Sequence, residues 1–174
     1  MELRPLTDDD VSSAAALLVE AFPHANGWPT LAEALEEVAE TERAWVAIDG
    51  ELVGWIGAKR TFRNRVWEIH PLVVRAAVRS RGIGRALIDE VARVAAREGA
   101  QTLLVGTDDD AGTTSVAHVD AYRPSPLDYV RALTAPADHP IHFYERVGFA
   151  RCGMIPDANG RGLPNILLAR RVSP

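Results

Sequence analysis

Two segments determine how this chain folds: Val66-Trp-Glu-Ile-His-Pro-Leu-Val-Val74 and, after a short basic spacer, Arg79-Ser-Arg-Gly-Ile-Gly84. The first is an apolar run that predicts a strand, and the second is a glycine-rich turn. Apolar residues then recur at helical spacing, so a helix begins directly behind the turn. Unpaired N–H groups and the macrodipole make such a helix start attractive to anions. Because the glycines permit close approach and Arg79, Arg81 and Arg85 add positive charge, we predict a diphosphate site here.

The composition is that of an ordinary globular domain. With 174 residues the chain is long enough to bury a full core, and we predict a single domain over residues 1–174. The formal net charge of −5 argues against a nucleic-acid partner and favours cationic small molecules. The one cysteine, Cys152, is interpreted as an inert core residue, and no Cys/His cluster predicts a metal. The sequence shows no signal region or membrane-spanning run, which predicts a cytoplasmic protein without a membrane partner.

The order of predicted elements indicates the fold class. Strands are predicted over Glu2–Leu6, Ala44–Ile48, Leu52–Lys59, Val66–Val74, Thr102–Gly106, Phe149–Ile155 and Asn165–Val172. Helices are predicted after the acidic start Thr7–Asp10, after the capping box Thr30–Glu33, from the glycine turn to Gly99, and from His139 to Gly148, with Leu31, Ala34, Leu35 and Val38 facing inward. The long polar segment 107–137 is predicted as a functional loop with a helical piece near Leu127–Leu133. This order predicts an α/β (α+β) sheet with helices on both faces.

Three blocks together resemble the GNAT (Gcn5-related) N-acetyltransferases. Arg79–Gly84 matches the Arg/Gln-x-x-Gly-x-Gly/Ala pyrophosphate motif of that superfamily, and the strand before it and Phe143-Tyr-Glu-Arg-Val-Gly-Phe149 match two further hallmarks. A narrower resemblance, to aminoglycoside 6'-N-acetyltransferases, is carried by Trp67–Val74, Gly106-Thr-Asp-Asp109, Gly112-Thr-Thr114, His139-Pro140 with Phe143-Tyr-Glu145, and Pro156-Asp-Ala-Asn-Gly160.

The resemblance implies a fold, an activity and an assembly. The fold would be the GNAT fold, with a central mixed, mostly antiparallel twisted sheet and helices on both faces. The activity would be transfer of an acetyl group from acetyl-CoA to a primary amine, the 6'-amine of an aminoglycoside, by direct attack in a ternary complex, with antibiotic resistance as a consequence. The protein would be a homodimer.

The resemblance also assigns the cofactor contacts. Backbone groups of Leu72, Val73 and Val74 would pair with the pantetheine arm, and Arg79, Ser80, Arg81, Gly82, Ile83 and Gly84 would hold the diphosphate. The Leu72 amide would donate to the thioester oxygen, and one such donor is worth about 10² to 10³ in rate. Tyr144 would stand near the sulfur and protonate the departing thiolate. The alternative for Tyr144 is a half-buried aromatic residue with a hydrated hydroxyl.

Glu68 is the predicted base. It lies four residues before Leu72 on the same strand, so the alternation of a strand predicts that both side chains share one face. Its carboxylate is suited to bind the incoming ammonium and accept its proton, and such help is worth roughly 10² to 10⁴ in rate. Alternatively, Glu68 is a surface carboxylate paired with Arg63 or Arg65. His70 is predicted to be a packed, structural residue.

Acidic and aromatic residues are the predicted acceptor contacts: Phe22, Trp28, Glu68, Asp108, Asp109, Asp110 and Asp138. Several carboxylates suit a polycationic sugar, whereas the alternative for the aspartates is a solvated turn. The two aromatic residues would stack on a sugar ring or else pack in the core. The cations Lys59, Arg60, Arg63 and Arg65 precede Glu68 and would repel a polycation if they faced it. The enzymatic alternative is therefore a GNAT member acting on a polyamine, amino acid or protein amine, and the non-enzymatic one is an acyl-CoA-binding module.

Overall fold

The structure, a computed structural model, describes residues 1–22 and 27–172 of the chain. These residues form two compact units, the first of Met1–Leu103 with Val172 and the second of Leu104–Arg171. Each unit contains strands and helices of its own.

The described part of the first unit contains an antiparallel meander in the order β1-β2-β3-β4. Its strands are β1 (Glu2–Pro5), β2 (Arg43–Asp49), β3 (Glu51–Thr61) and β4 (Val66–Val74), and its helices are α1 (Val11–Ala21), α2 (Leu31–Glu40) and α3 (Ile83–Arg97). Gly50 joins β2 to β3 at a φ of 78°, a value that favours glycine in a tight hairpin turn. The strands and helices predicted for this part of the chain are confirmed.

Side-chain hydrogen bonds hold the segments at the starts of the first two helices. The Thr30 hydroxyl accepts from the Glu33 N–H at 3.3 Å, and the Glu33 carboxylate accepts from the Thr30 N–H at 3.1 Å, which is the predicted capping box. Before α1, the Asp10 carboxylate accepts two hydrogen bonds from Arg4, at 2.6 and 2.9 Å, and one from the Thr7 N–H at 2.9 Å. The bonds from Arg4 hold the pKa of Asp10 well below its usual range. Asp10 therefore ties β1 to the start of α1.

Helices cover both faces of this meander, as predicted. Trp55 on β3 is fully buried in a core cluster with residues of α1 and α2, among them Leu18 and Val38. The neighbouring Gly54 faces the other way, since successive strand residues alternate. A Cβ at Gly54 would lie 3.5 Å from Ile83 Cγ2 of α3. The first two helices thus pack on one face and α3 on the other.

A β-bulge interrupts β4 at the residues between Ile69 and Leu72. Ile56 pairs with Leu72 and Ala58 with Ile69, so β4 has one more residue than β3 between these two pairs. Glu68 pairs with Lys59, three residues from Ile56, and positions three apart on a strand face opposite ways. The prediction that Glu68 and Leu72 share a face is therefore wrong, because the extra residue reverses the alternation between them.

The second unit is built around a short β-ribbon. Its elements are β5 (Thr102–Asp108, whose first two residues belong to the first unit), α4 (Pro126–Ala132), α5 (Pro140–Arg146), β6 (Ala150–Ile155) and β7 (Asn165–Arg171), with strand order β5-β7-β6 and β6 antiparallel to β7. The helical piece predicted near Leu127–Leu133 is α4. His139 caps α5, since its Nδ1 accepts from the Ile141 N–H at 3.2 Å.

Two residues predicted to lie in the apolar core are exposed. Leu31, predicted to face inward, is 52% exposed, because it is the first residue of α2 and stands ahead of the stripe that Ala34 and Val38 bury. Cys152, interpreted as a core residue, is exposed on β6. The identity of a single apolar residue does not show whether it faces the core. That depends on how its helix or strand packs and pairs with its neighbours.

Candidate active site

The start of α3 has the geometry of an anion site. Gly82 is the N-cap residue with a φ of 84°, and Ser80 is also left-handed, at 64°. Left-handed residues in such a turn bring successive backbone N–H groups to one side. A Cβ added at Gly82 would meet no atom within 4 Å, so the space above the turn is open. A ligand oxygen can therefore approach the backbone of the turn directly.

Arginine side chains complete this turn. The Arg79 Nε–H donates to the Val74 carbonyl at 3.0 Å, which fixes the turn to the end of β4. Arg79 and Arg81 are both exposed, so their guanidinium charge is available to an anion in solution. The open space over Gly82, the helix N–H groups and the guanidinium groups together fit a diphosphate. The predicted cofactor residues Arg79–Gly84 form this turn, and their contact with a diphosphate stays a prediction.

Leu72, Val73 and Val74 form the end of β4 beyond the bulge. They pair with Ile56, Trp55 and Gly54 of β3, respectively. Val73 is buried against the α1–α2 core, whereas Leu72 and Val74 are half-buried. The segment predicted to pair with pantetheine is therefore held in place by its pairing with β3. The hydrogen bond from Arg79 to Val74 fixes its last residue.

Glu68 is half-buried on β4 before the bulge. Its pairing partner on β3 is Lys59, yet no ion pair or side-chain hydrogen bond to Glu68 occurs among the described residues. The alternative in which Arg63 or Arg65 pairs with Glu68 is thus not what the structure has. Arg60, the next cation of the hairpin, is bound to Glu42. The Glu68 carboxylate is available for a cationic ligand.

An aromatic wall stands on the same face of β4 as Glu68. His70 is two residues further along and is the first of the two bulge residues. Burial alternates from half-buried Glu68 through buried Ile69 to exposed His70, so the two side chains share a face. The Trp28 ring lies 5.6 Å from the His70 ring, and the Phe22 ring meets Trp28 edge-on at 5.5 Å. The His70 Nε2 lies 3.7 Å from a Glu37 oxygen on α2. His70 is 60% exposed, so its prediction as a packed residue is wrong.

The aspartates of the predicted acidic cluster differ in burial, and Asp109 is the buried one. Asp109 is 1% exposed, and its carboxylate accepts bonds from the N–H and hydroxyl groups of both Thr113 and Thr114, at 2.5 to 3.1 Å. These bonds lower the pKa of Asp109 although burial alone would raise it. Asp109 therefore organises the loop after β5 from inside, which favours a structural role over a ligand contact.

The other aspartates of the cluster are exposed. Asp108 ends β5, and its Oδ1 accepts from the side-chain amides of Asn159 at 2.8 Å and Asn165 at 2.6 Å. Asp110 and Asp138 are exposed without a side-chain hydrogen bond or ion pair in the described part of the chain. The second oxygen of Asp108 and the carboxylates of Asp110 and Asp138 are the groups of this set that present charge to solvent.

Tyr144 lies on α5 in the second unit. Its ring is packed edge-on between Phe143 at 5.1 Å and Phe149 at 5.6 Å, and the residue is 8% exposed. Burial raises the pKa of the Tyr144 hydroxyl above its ordinary value. The hydroxyl is therefore protonated at neutral pH, as a proton donor must be.

Sequence reasoning missed the position of Glu37 and the burial of His139. Glu37 reaches the aromatic wall from α2, and its sequence signal is only its place one residue before the inward-facing Val38. His139 is 8% exposed and its Nε2 has no hydrogen-bond partner, while burial lowers its pKa.

The described side chains bring together no group of His, Cys, Asp and Glu suited to a metal ion. Within the same ranges, no helix is long and apolar enough to cross a bilayer.

Comparisons with known proteins agree with this geometry. The profile of the Acetyltransferase (GNAT) family matches residues 11–119. A solved aminoglycoside 6'-N-acetyltransferase complexed with coenzyme A is 31% identical, with a TM-score of 0.89 over 100% of this chain and 98% of that one. The aminoglycoside 6'-N-acetyltransferase from Enterococcus faecium is 32% identical, with a TM-score of 0.87 over 100% and 98% of the two chains. A type Ii aminoglycoside 6'-acetyltransferase is 29% identical, with a TM-score of 0.73 over 100% and 99%. A search of curated protein sequences found no match.

The chain belongs to the GNAT acetyltransferase family, and its predicted fold class, the α+β GNAT fold with a mostly antiparallel sheet, is confirmed. It is accordingly an N-acetyltransferase that uses acetyl-CoA as its donor.

Proposed function

We propose that this enzyme acetylates the 6'-amine of an aminoglycoside. The observation that carries the proposal is the Glu68 carboxylate, which lies on the same face of β4 as His70 of the aromatic wall and has no ion-pair partner among the described residues. A carboxylate next to aromatic faces suits an ammonium carried by a sugar ring. The 31% and 32% identity to two aminoglycoside 6'-N-acetyltransferases over the whole chain supports the same acceptor.

The proposed reaction is direct attack in a ternary complex. Glu68 binds the ammonium and takes its proton, directly or through water, so that the neutral amine attacks the thioester carbonyl. The Leu72 N–H donates to the oxygen on which negative charge develops. The carbon–sulfur bond breaks, and the Tyr144 hydroxyl protonates the departing thiolate. The attacking nitrogen loses its second proton to solvent, so that the products are an amide and free coenzyme A. Glu68 then releases its proton to solvent, and Tyr144 regains one from it.

The acceptor contacts follow from the same chemistry. Phe22 and Trp28 border the acceptor, and Asp108, Asp110 and Asp138 supply exposed carboxylates for its other ammonium groups. Asp109, which the sequence also predicts, stabilises their loop from within. We further propose that the whole chain is one acetyltransferase domain, which is a homodimer in the cytoplasm. The full-length similarity to known acetyltransferases supports the first statement, and the family resemblance supports the others.

A second candidate is acetylation of a less cationic amine, such as an amino acid or a protein amine. The pairing of Lys59 with Glu68 favours it, because a cation opposite the acceptor carboxylate opposes a polycation. A thiol-release assay with acetyl-CoA separates the two. We expect turnover with kanamycin-type aminoglycosides, with the acetyl group on the 6'-nitrogen by NMR. Turnover with amino acids or peptides and none with aminoglycosides or spermidine would replace the first candidate by the second.

A further inference from the structure

A second carboxylate stands at the aromatic wall beside Glu68. Glu37 projects from α2, and its Oε1 lies 3.7 Å from the His70 Nε2, longer than a hydrogen bond. Its side chain is 26% exposed, and no other side-chain partner occurs in the part of the chain that the structure describes. The Glu37 oxygens therefore retain capacity for a ligand that donates hydrogen bonds.

The surroundings of Glu37 suit a cation. The His70 ring that faces the carboxylate lies 5.6 Å from the Trp28 ring, which in turn meets Phe22 edge-on, so Glu37 stands at one side of an aromatic cluster. An ammonium near this wall gains both a charge-assisted hydrogen bond and a cation–π contact. Glu68 and Glu37 flank His70, one along β4 and the other across from it on α2. Along β4, Glu68 and His70 are separated by about 7 Å at the usual rise per residue.

We propose that Glu37 is a specificity-determining residue, which binds a second ammonium of the acceptor while Glu68 binds the reacting one. The enzyme then prefers acceptors with two amines on one ring or short chain over acceptors with one. This inference rests on the proposed function in that it takes Glu68 as the site of the reacting amine. It requires a diamine, whether an amino sugar or a linear chain.

The experiment compares matched acceptors and matched variants. The acceptors form two pairs of a diamine and its matched monoamine. The first pair is a kanamycin-type diaminohexose and the monoaminohexose that keeps only the reacting amine, and the second is cadaverine and n-pentylamine. The variants are Glu37→Gln, Glu37→Asp, which keeps the charge, and Glu36→Gln. Glu36 is the control because it is exposed on the same helix and its substitution removes the same charge. Thermal unfolding by circular dichroism verifies that each variant folds.

We expect the wild type to have the higher kcat/KM on the diamine of a pair. Glu37→Gln raises KM for the diamine about tenfold and leaves the monoamine unchanged, since one charge-assisted bond is lost. Glu37→Asp gives a smaller rise, and Glu36→Gln gives none. The inference is overturned if Glu37→Gln leaves KM unchanged or raises it equally for diamine and monoamine. It is also overturned if Glu36→Gln has the same effect as Glu37→Gln, or if the wild type does not prefer the diamine.

The two pairs separate this inference from the proposed function. Turnover of the linear pair and not of the sugars refutes the aminoglycoside acceptor, and the Glu37 effect is then measured on cadaverine against n-pentylamine. Turnover of the sugars with no loss of preference in Glu37→Gln refutes only the role of Glu37. Turnover of none of the four amines refutes both.

Discussion

Gly57 is the residue that makes room for the bulge in β4. A Cβ added there would lie well inside 3.0 Å of the His70 carbonyl oxygen and 2.9 Å from the Thr41 Cγ2, and real Cβ atoms do not approach so closely. The oxygen belongs to the backbone of β4 and not to the flexible end of a side chain, so Gly57→Ala forces β4 to move. Overpacking of this kind costs about 1–3 kcal/mol. The loss of glycine freedom in the unfolded chain returns about 0.4–1 kcal/mol.

The net expectation is a destabilisation of about 1–2 kcal/mol, which at this chain length lowers Tm by roughly 2–8 °C. Denaturant unfolding followed by fluorescence measures the free energy, and thiol release below both Tm values measures activity. Gly153→Ala on β6 is the control, because its Cβ would have 3.8 Å to the nearest atom. We expect Gly57→Ala to lose kcat/KM as well, since the bulge lies between Glu68 and Leu72. Equal unfolding free energies for Gly57→Ala, Gly153→Ala and the wild type would refute this account of the bulge.

Three further substitutions test separate groups. Glu68→Gln is expected to lower kcat by about 10² to 10⁴ with coenzyme A affinity unchanged in calorimetry, and an unchanged kcat would remove Glu68 as the base. Tyr144→Phe is expected to lower kcat by about 10², and because burial raises the pKa of Tyr144, the wild-type rate should not fall near pH 10 through its ionisation; a descending limb there that Tyr144→Phe abolishes would contradict this. Asp10→Asn is expected to reduce the unfolding free energy by about 1–3 kcal/mol at neutral pH. Because the folded-state pKa of Asp10 is lowered, the wild-type advantage is fully present above about pH 4 and is lost as pH falls through the folded value; a difference that is constant with pH would contradict the role of the Arg4 bonds.

Local sequence signals were sufficient for the elements and for the turn before α3. The capping box at Thr30, the hairpin glycine Gly50 and the left-handed N-cap Gly82 act through neighbours within a few residues, so their pattern is readable directly. The Asp109 bonds to Thr113 and Thr114 are equally local. The spacing of these three residues is compatible with such bonds. It is equally compatible with an exposed acidic cluster, which is how the sequence was interpreted.

The faces of Glu68 and Leu72 and the contact between Glu37 and His70 depend on the pairing and packing of distant segments. Alternation along β4 predicts one face for Glu68 and Leu72, and only the register against β3 reveals the extra residue that separates their faces. The one sequence trace of that bulge is Gly57, whose meaning requires knowing which carbonyl lies above it. Glu37 reaches His70 across 33 residues of chain, as the packing of α2 on the sheet dictates. Propensity and periodicity do not encode such contacts.

The binding of the donor at α3 is tested most directly by calorimetric titration of coenzyme A into two glycine variants. Gly82 and Gly99 have φ values of 84° and 85°, and a Cβ at either position would meet nothing within 4 Å, so Gly82→Val and Gly99→Val carry the same backbone strain. Only Gly82 stands at the turn with the arginines. We predict that Gly82→Val weakens coenzyme A binding at least about tenfold through lost hydrogen bonds to the turn, while Gly99→Val binds like the wild type. Equal coenzyme A affinity in all three folded proteins would contradict the account.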